Sequence, residues 1–166
     1  MGLTESIDTN FSFDPSSIYP IVEGYGVEGR AFYIRRRWTF DLVFPLVYGS
    51  PLWLTLNKFI PMIPFLEKFK AFANLALIAV AFDYLENIFF TILIVLYPTE
   101  ISFLPVIGVT MSFIKWLSLS LVMTSTLVVS IIVLVEYVSN AIFGVNEFYV
   151  DDTSATSPLN DFVVVF

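Results

Sequence analysis

Three polar side chains stand inside an apolar run that has room for none facing lipid. Asp83, Glu86 and Asn87 fall within Phe72 to Leu96 at spacings i, i+3 and i+4, which places them on one face of a helix within about 100° of arc. A carboxylate at the centre of a membrane helix costs about 2.5 to 3.5 kcal/mol, so two of them need a cation, a shielding neighbour or a proton. Lys115 is the cation within the next apolar stretch, Ile101 to Tyr137. If that helix starts near Ser102, Lys115 lies about 18 to 20 Å along it, while Asp83 and Glu86 lie about 20 Å and 15 Å from the end of theirs at Leu96. The matching depths predict a Lys115 ion pair with Glu86 or Asp83, with Ser112 and Ser118 on the Lys115 face to complete the hydrogen bonding. Arg30, Arg37, Asp41 and Tyr48 recur at spacings of seven, four and seven, again one helix face, and Tyr48 reaches the same layer.

Such a set can serve several chemistries. As packing, a buried polar cluster of Asp83, Glu86, Asn87, Lys115 and Tyr48 fixes the register of short helices, because apolar contacts alone discriminate partners poorly in lipid. As a relay, Asp83 or Glu86 exchanges a proton while Lys115 tunes it. Arg30, Arg37 and Asp41 could instead line a head-group or solute pocket. Catalysis by paired carboxylates on a lipid is the weakest reading, since no nucleophile, phosphate loop or metal-ligand spacing accompanies them. The chain has no histidine and no cysteine, which removes disulfides, thiolate or imidazole metal sites and the usual triads, so no metal and no cofactor is expected.

The elements that must carry these residues are written in the composition. Of 166 residues, 57% are hydrophobic and 14% charged, and the mean hydropathy is +0.82, values at odds with an ordinary soluble domain. The formal charge of −7 disfavours a nucleic-acid partner. The expected fold is all-α, a polytopic membrane protein with three transmembrane helices at about 38–57, 72–96 and 113–137, preceded by an interfacial N-terminal helix section. Residues 28–138 make up the membrane domain, 1–27 a polar acidic tail, and 139–166 an acidic mobile tail. Pro45 and Pro51 predict a kink in the first span. Asn57 to Lys70, broken by Pro61 and Pro64 and carrying Lys58, Lys68 and Lys70, reads as a connector outside hydrocarbon.

Arg35, Arg36 and Arg37 beside Trp38 read as an anchor at head-group level, with Trp53, Tyr97, Trp116 and Tyr137 as further interface markers. The arginines on one side outnumber the lysines on the other by a single charge, which favours a cytoplasmic N-terminus. Met1-Gly2-Leu3-Thr4-Glu5-Ser6 fits the pattern for myristoylation of Gly2, and Val164-Val165-Phe166 could add a strand to a partner's groove. Neither a secretory signal nor a transit peptide is expected at the start. Three spans enclose little interior, so a homo-oligomer or a place in a larger membrane complex is expected alongside the lipid bilayer itself.

The ordered set Gly29-Arg30 with Tyr33, Asp41 with Phe44-Pro45 and Tyr48, Asp83 with Glu86-Asn87, and Lys115-Trp116 resembles a group of small polytopic membrane proteins best known from bacteria. The resemblance covers about residues 24 to 135. It implies a helical membrane fold built around these polar positions and carries no activity with it.

Overall fold

The computed structural model describes residues 6–12 and 14–143, so Gly2 and the C-terminal residues 144–166 lie outside the described residues. Every regular element among the described residues is helical: α1 (Pro15–Gly24), α2 (Gly26–Arg37), α3 (Phe40–Phe59), two 3-10 segments (Ile60–Met62 and Pro64–Asn74), α4 (Leu75–Leu96) and α5 (Phe103–Phe143). Two helical stretches, Pro64–Leu96 and Phe103–Ile142, are long and apolar enough to cross a membrane. α5 is a single helix of 41 residues, about 60 Å at the usual rise.

Side-chain pairings set the direction of each helix. Trp38, in the turn just before α3, bonds Thr91 late in α4, and Trp53 in the second half of α3 bonds Asn74 just before α4, so α3 and α4 run antiparallel. α5 returns along α4 after the turn at 97–102. The approach is close where side chains are small. A Cβ on Gly49 would collide with Val80 of α4, and one on Gly108 would collide with the Phe90 ring. α3 passes unbroken through Pro45 and Pro51. Pro45 removes the N–H that would bond the Asp41 carbonyl, and in the same turn the Leu42 carbonyl accepts a hydrogen bond from the Tyr84 hydroxyl of α4 at 2.8 Å.

Of the expected tail 1–27, the described residues 6–12 and 14–27 fold onto the bundle. Asp14 caps α1, its carboxylate accepting from the Ser16 N–H at 3.0 Å, and Pro15 takes the first helical position, where its missing N–H costs nothing. Gly26, at φ +62°, makes the sharp turn between α1 and α2. Ile7, Ile18, Tyr19 and Val22 are buried together with Phe90, Leu93 and Ile94 of α4 and Leu104 and Val109 of α5. Tyr19 clamps the α4–α5 turn, accepting from the Ile101 N–H at 2.7 Å and donating to its carbonyl at 3.1 Å. A second core at the opposite end joins Leu56, Ile60, Ile63, Ala73 and Ala76 to Val122, Val129 and Val133. The 57–70 connector is therefore largely helical and packed, with Ile63 as its extended break.

Candidate functional site

α4 carries Asp83, Glu86 and Asn87 on the face that also buries Ala76, Ala79, Phe90 and Leu93, so its polar residues point into the bundle. α5 brings Lys115 to them on the buried face it shares with Ser112 and Ser118. The Lys115 ammonium lies 2.5 Å from Glu86 Oε2 and 3.6 Å from Asp83 Oδ1. Tyr48 of α3 donates to Asp83 Oδ2 at 2.8 Å. All five residues of the expected cluster thus lie together, with Asn87 joined through a second cation.

That second cation is Arg37. Its side chain is buried, although it is the last of three consecutive arginines, while Arg35 and Arg36 are exposed. Arg37 reaches Glu86 Oε1 at 3.3 Å, Asp41 Oδ2 at 3.3 Å and Asp8 Oδ2 at 2.9 Å. It also donates to Asn87 Oδ1 at 2.7 Å and to the Tyr33 hydroxyl at 2.6 Å. Glu86, with no exposed side-chain surface, holds a cation on each oxygen; these contacts are ion pairs rather than well-angled hydrogen bonds. Ser112 is fully buried and its hydroxyl meets no partner, so it does not complete the Lys115 shell.

Arg30 does not share the Arg37 site. The chain turns at Trp38 and Thr39, so the one-face spacing from Arg30 to Tyr48 is interrupted between α2 and α3. Arg30 instead lies 4.5 Å from the centre of the Tyr97 ring and donates to the Val22 carbonyl at 3.3 Å. Asp41 joins the layer through Arg37.

Asp8 is the member that no spacing in the sequence announced. It lies in an irregular segment whose register to the bundle is set by tertiary contacts: Ile7 is fully buried, and its N–H donates to the Tyr25 hydroxyl at 3.1 Å. Burial pushes the Asp8 carboxyl up, but the Arg37 guanidinium and a hydrogen bond from Ser6 outweigh it and hold the group below the usual carboxylate range.

The layer gathers four carboxyls, Asp8, Asp41, Asp83 and Glu86, around two cations, and it ties the N-terminal segment and three long helices to one another. Among the described residues no cluster of acids has the arrangement of a metal site. Fold and layer together define a small all-helical protein with ion-paired charge buried between apolar helices. Comparison with family models, with curated proteins and with solved structures finds no match to the chain.

Proposed function

We propose that this chain is a non-enzymatic integral membrane protein, an accessory or assembly subunit that α3, α4 and α5 carry across the bilayer in three passes. What supports this most is the way the two buried cations are used: Arg37 and Lys115 are both committed to carboxylates on other segments of the chain. A buried ion pair adds little net stability, yet mispairing it is severely penalised, so it serves to fix which helices meet and in what register. The N-terminus lies on the cytoplasmic side, following the one-charge excess of arginine. A homo-oligomer or a larger membrane complex provides the setting, and the resemblance to small polytopic membrane proteins agrees with it. Asp83→Asn and Glu86→Gln are expected to lower detergent stability and the yield of any copurifying complex. Unchanged stability and yield in both would overturn the packing role.

A second reading, proton or ion conduction by an oligomer, is favoured by one observation: the layer holds two more carboxyls than cations. An excess of buried negative charge is relieved by binding a proton, which is what a relay needs. Flux across liposomes that survives both neutral substitutions would remove this reading.

A further inference from the structure

The end of the molecule remote from the ion-pair layer carries a cavity of about 300 Å³, at the small end of the usual range for ligand clefts. Leu66, Phe69 and Phe72 of the second 3-10 segment form one wall, Val128 and Val129 of α5 the other, with Ile60 between them. Thr124 and Ser125 complete the α5 side, and the lining they share in is almost wholly apolar. The Lys68 ammonium is not part of the lining but lies 5.1 Å from the centre of the Phe69 ring, so an ammonium group sits against a side chain that lines the apolar wall.

The charge around this cavity runs against that of the chain. The protein has a net charge of −7, yet Lys58, Lys68 and Lys70, three of its four lysines, fall within 58–70 beside the lone acid Glu67. The depth also fits. Taking the start of α5 at Phe103 as one boundary, rather than the 113 expected from the sequence, Ser125 lies about 33 Å along the helix, close to the roughly 30 Å of a bilayer's hydrocarbon, which puts the cavity at the boundary opposite the N-terminal cap. Phe65 and Phe69 are exposed there, 60% and 52%, on a 3-10 segment that carries Leu66, Phe69 and Phe72 at every third position with Lys68 and Lys70 off that face, the division of a helix lying at the head-group level.

We propose that this cavity is a binding site for one anionic glycerophospholipid of the surrounding bilayer. An acyl chain lies between Phe69, Phe72 and Val128, and the phosphate is held by Lys68 with Lys70 nearby. The site rests on the reading of the chain as a membrane protein. A lysine near a membrane surface favours an anionic lipid by about fivefold, so two give a preference of tenfold or more over a zwitterionic lipid of the same chains.

The test reconstitutes the full chain in nanodiscs of phosphatidylcholine and phosphatidylglycerol in equal amounts and counts lipids retained on release by native mass spectrometry. Wild-type protein is expected to keep one phosphatidylglycerol per chain. K68Q/K70Q, both exposed and leaving the fold intact, is expected to lose that preference about tenfold while keeping its total lipid count; V128F, which fills the cavity, is expected to lose the retained lipid of either kind. Equal retention of the two lipids by wild type, or a preference indifferent to K68Q/K70Q, overturns the site. Failure of the chain to float with pure phosphatidylcholine vesicles is a separate result, which overturns the membrane reading and the site with it.

Discussion

At Glu86 the physics is that of a carboxylate held between two cations with no side-chain surface open to solvent. Removing one partner strands charge, which typically costs about 3 to 5 kcal/mol, whereas removing two opposed partners restores balance. Lys115→Met is therefore expected to lower detergent stability strongly, and Glu86→Leu in that background to recover part of the loss in a double-mutant cycle. If neither Glu86→Leu nor Asp83→Leu restores anything, the pairing is wrong. Asp8 gives a prediction with a sign. Its carboxyl titrates lower in the folded chain than in the unfolded one, so the stability it contributes is complete above the unfolded value of 3.8 and is lost as the pH falls below that through the depressed folded value. Proteolysis or hydrogen exchange of the N-terminal segment should quicken below about pH 4 in the wild type. Asp8→Asn should loosen that segment already at pH 7 and flatten the acid step. Asp83, Glu86, Asn87, Lys115 and Tyr48 could be found from spacing and depth because all five belong to regular helices. Arg37 shared the anchor reading of its neighbours Arg35 and Arg36, and what set it apart was the spacing of seven, four and seven through Arg30, Asp41 and Tyr48, of which the turn at Trp38 and Thr39 leaves Arg30 elsewhere. Asp8 had no periodic context at all.

Among the elements, the long apolar helices were legible from their runs, and the N-terminal cap was not. α1 and α2 are short and of mixed polarity, so their docking depends on a few contacts that no pattern encodes, above all Tyr19 on the α4–α5 turn. Tyr19→Phe removes both bonds to Ile101 and should cost about 1 to 3 kcal/mol, read as earlier local opening of α1 by hydrogen exchange. The α4–α5 contact makes the opposite demand, for absence of bulk. Gly108→Val sets a branched side chain against Phe90 and should cost about 1 to 3 kcal/mol in detergent melts, with Gly108→Ala the milder case. The 57–70 segment shows why a connector was expected: its prolines and charges exclude a membrane α-helix, but they leave open the 3-10 geometry that packs Ile60 and Ile63 beneath α3.

For the molecule as a whole, the antiparallel order of α3 and α4 puts α2 and the 58–70 segment at opposite ends. The chain has no cysteine, so single introduced thiols report cleanly. With three passes, Ser16→Cys and Lys70→Cys should react with an impermeant maleimide from opposite sides of sealed vesicles; labelling of both from one side would remove α3 as a crossing. α5 raises a different matter. A rod of about 60 Å overshoots a typical acyl interior of roughly 30 Å even when leaning by about 40°. If α5 crosses a bilayer as proposed, such overhang would make bilayer thickness a variable to which the chain responds: lipids with longer tails should then shelter more of its Leu127-to-Ile142 flank and raise its resistance to unfolding, and thin bilayers should drive the molecules to crowd together.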